Sequence, residues 1–336
     1  MSKATFGLIA AAGAATGAAA TALFYNSRGQ SAPAASPAVT SAVAAGAAAG
    51  VAAAATVAAN NRPAPTPAPQ QRRNEGPVSP AGFFQYGFPG PVNDVASRTG
   101  LVSGYDRRTR NPAWVVEHIT PESLAMKEGD RKNSQFVEDE SIPEMFRAKL
   151  KDYFRSGYDR GHQVPAADCK FSQQAMDDTF FLTNMCPQVG QGFNRDYWSH
   201  FEDFCRRLTH KYPSVRIVTG PLYLPKQHPD GKWRVSYEVI GDPPNIAVPT
   251  HFYKVILAEG KDANAPVAVG AFILPNAVIN NKTPLTEFQV TVDIVERASG
   301  LEFLKLLPAN RKKELCKEIE CSLIVREFNN AKKGKN

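Results

Sequence analysis

The stretch YDRGHQVPAAD, residues 158 to 168, crowds Asp159, Arg160 and His162 around Gly161 within four positions. Histidine is the side chain whose ordinary pKa lies nearest neutrality, so beside a phosphorus or carbonyl centre His162 could take a proton from water. Arg160 could offset the charge of an anion, and Gly161 lets the backbone turn or approach closely. On residue types alone the segment fits a capped polar turn as well as it fits a site. Two amides and a carboxylate extend the set: Asn184 in TNMCPQ (183 to 188), then Asn194, then Glu202. An inward asparagine at a helix start is commonly an N-cap. It is also a hard oxygen ligand suited to Mg²⁺, which keeps several waters and takes few protein ligands. Glu202 follows eight residues after Asn194, about 80° further around a helix, where it either holds a metal's water or is a boundary carboxylate.

These residues need elements to hold them. The segment NRDYWSHFEDFCRRLTHKY (194 to 212) is the clearest: Tyr197, Trp198, Phe201, Phe204, Cys205 and Leu208 share one helical face. This spacing predicts an amphipathic helix with Asn194 at the N-cap, directed inward, and Pro213 just past its end. Strands are expected at 113 to 119, 179 to 185, 215 to 224, 233 to 240, 246 to 259 and 266 to 276, and some helix within 142 to 154. Turn residues split the later strands at short intervals, as in an antiparallel sheet. The expected class is α+β with a central, mainly antiparallel sheet flanked by helices, in one domain of about 255 residues.

Composition places that domain late in the chain. Residues 1 to 74 contain no acid and only five of the 39 basic residues, leaving 34 bases against 32 acids, or +2, for the remainder. The basic pI therefore owes much to the leader and is weak evidence for a nucleic-acid partner. The uncharged, Ala-rich run between Lys3 and Arg28 competes as secretory signal, membrane span or mitochondrial presequence. A mitochondrial address over residues 1 to 30 is favoured, with retention as a membrane anchor left open. A Pro-rich linker spans 31 to 80. The expected catalytic region is 81 to 310, and 311 to 336 form a helix and basic tail. Cys169, Cys186, Cys205, Cys316 and Cys321 show no C-x-x-C or zinc spacing and read as buried free thiols.

Six separated blocks occur in order: DRGH (159 to 162), MDDTFFLTNMCPQ (176 to 188), Asn194 with Trp198, VTGPLYLP (218 to 225), VPTHFYKVIL (248 to 257) and ERASGLEF (296 to 303). With GYDRRTRNPAWVVEHITPESL (104 to 124) upstream, they resemble the DNA/RNA non-specific endonucleases, specifically the mitochondrial endonuclease G type in a fungal form. The resemblance spans roughly residues 80 to 308. It implies a ββα-metal nuclease fold holding one divalent ion, Mg²⁺ with Mn²⁺ able to substitute, and DNA and RNA as substrates cut without sequence preference.

By the same resemblance His162 is the general base, Asn194 the direct metal ligand, Glu202 the helix carboxylate that orders the metal's water shell, and Asn184 a supporting amide. Arg160 and Arg110 face the phosphate. Arg107, Arg108 and Arg131 are basic residues that could line the substrate groove. A homodimer in the mitochondrial intermembrane space or at the inner membrane is implied as well. Two departures stand out: the loop from Gln188 to Asn194 is one residue longer, and Asp168–Cys169 replace a frequent Asn-His pair. The competing readings are a mitochondrial 5′ exonuclease of the same family, disfavoured by the short segment after Pro308, and a catalytically silent nucleic-acid-binding protein.

Overall fold

The computed structural model describes residues 80–87, 94–262 and 264–325. The expected leader, most of the linker and the end of the basic tail lie outside them. The strands, in chain order, are β1 (Val95–Ser97), β2 (Leu101–Asp106), β3 (Asn111–Ile119), β4 (Tyr158–His162), β5 (Met185–Val189), β6 (Ser214–Leu222), β7 (Lys226–Gln227), β8 (Trp233–Arg234), β9 (Val239–Ile240), β10 (Ile246–Ala247), β11 (His251–Glu259), β12 (Val267–Pro275), β13 (Gln289–Val290) and β14 (Lys312–Glu314). The main sheet runs β1-β2-β3-β6-β11-β12-β13, antiparallel throughout, with β14 added parallel to β12.

Both faces of this sheet are covered, which is why β12, VAVGAFILP, is buried along its whole length. On one face the helix Tyr197–Arg207 sets Trp198, Phe201 and Phe204 against Ile217, Phe252 and Phe272. On the other, Val116, Val218, Tyr253 and Val255 meet Phe83, Val295 and Phe303, the second of these from the helix Val292–Ser299. β4 and β5 form a separate antiparallel pair in which His162 stands opposite Met185 and Asp159 opposite Gln188.

Several expectations are corrected. Residues 179 to 185 are not a strand: Phe181 makes one bridge to Val137, Leu182–Asn184 form a 3-10 turn, and β5 starts only at Met185. The aromatic run is held without a ladder: Phe180 packs against His162, and Phe181 lies under the Arg98 guanidinium. Residues 233 to 240 hold only β8 and the start of a β9–β10 pair, since Trp233, Val235, Tyr237 and Val239 have no sheet to pack against and are exposed. Residues 142 to 154 carry just two short turns of helix, Glu144–Phe146 and Leu150–Tyr153. The segment after residue 310 enters the sheet as β14 before a helical turn, Leu315–Glu318.

Asn194 is not the N-cap of the long helix. It ends a wide five-residue turn, Gly190–Asn194, in which Gly192 takes φ +85°, and the helix begins three residues later. Left-handed backbone is open to Gly192 without steric cost. A β-carbon there would also meet Val278 at 2.6 Å, so this turn needs glycine twice over. Nor are all five cysteines free thiols. Cys169, Cys186 and Cys205 are buried and free, whereas Cys316 and Cys321 form a disulfide, because the helical turn between them folds back to a Cα separation of 5.3 Å.

Candidate active site

The site grows from the β4–β5 pair, the wide turn and the helix that follows. Strand alternation sends Tyr158, Arg160 and His162 to one side of β4 and Asp159 to the other. Gly161 is required between them: a β-carbon would overlap the side chain of Gln188, which crosses β4 at that point.

His162 packs edge-on to Phe180 at 4.9 Å between centroids and against Phe136 at 5.7 Å. Burial, with the positive charge of Arg131, pushes its pKa down to about 3, so the ring is neutral at physiological pH. Its Nε2 is buried and makes no hydrogen bond among the described residues. An unpaired buried nitrogen costs about 1–3 kcal/mol, a penalty usually found where a ligand or water completes the site.

The remaining geometry hangs on Asp159. Its Oδ2 accepts from Asn194 Nδ2 at 2.9 Å and from Arg195 Nε at 2.7 Å, and its Oδ1 accepts from a second Arg195 nitrogen at 2.5 Å. Burial acts to raise this carboxyl, but the hydrogen bonds from Arg195 and Asn194 and the charges of Arg195 and Arg160 hold it below the usual carboxylate value. With its amide nitrogen donated to Asp159, Asn194 presents Oδ1, which takes no hydrogen bond among the described residues. A neutral, oriented, hard oxygen of this kind fits one Mg²⁺ that keeps most of its waters. Among the described residues there is no cluster of three His, Cys, Asp or Glu side chains able to hold a metal, so such an ion would rely on few protein ligands.

Beside these groups lies a cleft of about 450 Å³, with Arg131, Arg155, Arg160 and Arg195 in its lining and Asp159 as the single carboxylate there. Arg160 stacks its guanidinium 4.2 Å above Phe136, and Arg131 lies 5.4 Å from the centre of Phe180. The two rings that confine His162 therefore also carry two of the cleft's cations.

The other expected residues sit elsewhere. Asn184 is buried under the β4–β5 pair, where Nδ2 donates to the carbonyls of Val164 (3.0 Å) and Thr179 (2.8 Å) and Oδ1 accepts from the Val164 amide at 3.0 Å. It anchors the chain leaving His162 and has no atom in the cleft lining. Arg110 has φ +58° and turns back to donate to the carbonyls of Arg107, Arg108 and Met145. Arg107 pairs with Asp94, and Arg108 is exposed. None of these three lines the cleft. Arg155 and Arg195 do, and spacing alone could not single them out. Position next to DRGH was a signal for Arg155, and adjacency to Asn194 one for Arg195.

Glu202 projects from the long helix toward a buried charged layer on the main sheet. Burial raises its pKa to about 7, against the lowering influence of Lys254 and Arg206. Lys254 is 1% exposed, donates to Thr219 Oγ1 at 2.8 Å and lies 4.8 Å from the Trp198 ring. Arg206 pairs with buried Asp168 at 2.8 Å. Glu117, beside Asp168, is raised well above the ordinary range by burial and then by that neighbouring charge.

A model of the DNA/RNA non-specific endonuclease family matches residues 79–310. The chain is 66% identical over 258 residues to a mitochondrial nuclease of Saccharomyces cerevisiae, covering 76% of this chain and 78% of that one. Over 248 residues it is 61% identical to nuclease 1, mitochondrial, of Schizosaccharomyces pombe, covering 73% and 77%. Among solved structures, the crystal structure of an EndoG/EndoGI complex superposes with a TM-score of 0.67 at 46% identity, covering 71% of this chain and 99% of that chain. Two paired strands followed by a helix, carrying the DRGH block and Asn194, are the ββα arrangement that the resemblance implied. The chain is a mitochondrial protein and a hydrolase that acts as a nuclease, and it belongs to the DNA/RNA non-specific endonuclease family.

Proposed function

We propose that this protein is a Mg²⁺-dependent, sugar-nonspecific endonuclease that hydrolyses DNA and RNA to 5′-phosphorylated products, with His162 as general base. What carries the reading is a neutral His162 whose Nε2 has no partner among the described residues, in the same ββα unit as an Asn194 whose carbonyl is aimed by Asp159. His162 accepts a proton from the water that attacks phosphorus. The bond to the 3′ oxygen breaks, leaving phosphate on the 5′ side. Arg160 and Arg131 offset charge on the non-bridging oxygens from their stacked positions on Phe136 and Phe180. Asn194 Oδ1 would hold the ion, and Glu202, which does not line the cleft, would act on its waters from longer range; when bound, the ion supplies Lewis-acid stabilisation of the departing oxygen. Because these groups address the phosphodiester rather than the base, neither the sugar nor the sequence is strongly selected. The catalytic unit is residues 81–310.

The test is nicking of a supercoiled plasmid in Mg²⁺ and in EDTA. His162→Ala should lose about 10²–10⁴-fold in rate while keeping its melting temperature within a few degrees. Undiminished cleavage by the purified variant contradicts the base assignment, and failure of the wild-type protein to open a circle would favour an exonuclease.

A further inference from the structure

One part of the cleft has no task in this chemistry. Immediately before β4, the turn Phe154-Arg155-Ser156-Gly157 stands at the rim, and Phe154 is 72% exposed although it lines the cleft. Arg155 holds φ +54°, a left-handed conformation that disfavours any residue with a β-carbon. The space beside Gly157 is open, since a β-carbon there would meet no atom within 4 Å. The turn is nonetheless tied down from beneath: Phe154 N donates to the Lys151 carbonyl at 3.1 Å, Ser156 N and Oγ donate to the Tyr153 carbonyl at 3.2 and 3.0 Å, and Tyr158 N donates to Ser156 Oγ at 3.2 Å. The result is a fixed knuckle that offers a bare ring to solvent. Arg155 lies 5.0 Å from the centre of that ring and has no acidic partner among the described residues. The cleft below it holds three more guanidinium groups and a single carboxylate, which is already paired with Arg195.

On the reading that the cleft takes a phosphodiester backbone, we propose that Phe154 and Arg155 form a stacking subsite for an unpaired base next to the cut, which favours single-stranded or unwound nucleic acid. Cationic grooves flanked by exposed aromatic rings are how proteins take up single strands, the cations following phosphates and the rings accepting bases. Stacking on the ring needs an uncovered base face, and in a duplex those faces are covered by neighbouring bases. The charge of the cleft selects nucleic acid over an apolar protein partner, and the exposed ring selects an accessible base over a paired one.

The subsite can be read without cleavage. A single-stranded oligonucleotide carrying 2-aminopurine, bound in EDTA, should be quenched by the wild-type protein when the probe stands at one position. That quenching should be lost in Phe154→Ala. In Mg²⁺, the ratio of kcat/KM for a single-stranded substrate to that for the same sequence as duplex should fall about tenfold in Phe154→Ala, chiefly through KM. Arg155→Gly should lower the same ratio while raising or preserving the melting temperature, because glycine suits φ +54°. An unchanged ratio in both variants overturns the proposal, as does a change in molecular mass of Phe154→Ala in solution with no change in the ratio, which would make the rim a protein interface. A wild-type protein that quenches the probe but cuts neither substrate would overturn the proposed hydrolysis and leave the subsite standing.

Discussion

At the scale of single residues, Asp159 explains more of the site than its place in DRGH suggested. In the sequence it is only an acid crowded beside Arg160; folding brings it Asn194 and Arg195, 35 and 36 positions away. Its negative charge fixes which end of the Asn194 amide faces the site. Asp159→Asn should therefore preserve the fold yet raise the Mg²⁺ concentration needed for half-maximal cleavage by about 10–100-fold, the usual cost of losing a group that orients a metal ligand. A Mg²⁺ titration checks this, and an unaltered midpoint would count against Asp159 as the orienting group. The arginines show the opposite case. The resemblance gives Arg110 a place facing the phosphate, but its two terminal nitrogens donate to the carbonyls of Arg107, Arg108 and Met145. Charge could be read from the sequence, and availability could not.

At the scale of elements, the long helix was legible because a period of 3.6 residues is written locally, and its buried face is the expected one. Its start was not, because the wide turn that displaces Asn194 depends on Gly192 fitting beneath Val278, 86 residues along the chain. The short strands failed for a related reason: alternation in residues 233 to 240 describes a strand, but no covering layer receives its apolar side. Between helix and sheet, the charged layer of Glu117, Asp168, Arg206 and Lys254 replaces what apolar packing would supply. Asp168 has a side chain 1% exposed and is the direct partner of Arg206. Asp168→Ala leaves that guanidinium largely buried with only the longer contact to Asp203 at 3.7 Å, and should lower stability by about 3 kcal/mol, measured by denaturant unfolding. A loss under about 1 kcal/mol would mean that Arg206 reaches solvent or finds another acid, as surface pairs do.

At the scale of the whole molecule, a histidine buried neutral ties folding to pH. Burial, with the charge of Arg216, lowers the pKa of His118 to about 3 from an ordinary 6.5. Below pH 6.5 the unfolded chain takes up a proton there that the folded chain refuses, so stability falls as pH drops toward 3. His162 and His251, lowered by burial to about 3 and about 4, act in the same direction. Glu202 acts in the opposite one, its raised carboxyl withdrawing stability as pH climbs from 4.5 through about 7. His118→Gln should accordingly lose less stability than the wild type between pH 6.5 and 4 in parallel urea titrations; identical losses would show that His118 is not held neutral. Taken as a whole, the family, the α+β class, the amphipathic helix, and His162 and Asn194 as candidates were determined by the sequence alone, because motif order and periodicity are written along the chain and need no contact between distant segments. Tertiary structure decided which cations reach the cleft, what aims Asn194, where the disulfide closes and why Phe154 stands bare. The first two depend on distances between segments tens of residues apart; the disulfide, between cysteines five residues apart, depends on how the turn between them folds back, and the exposure of Phe154 on what the rest of the fold leaves uncovered.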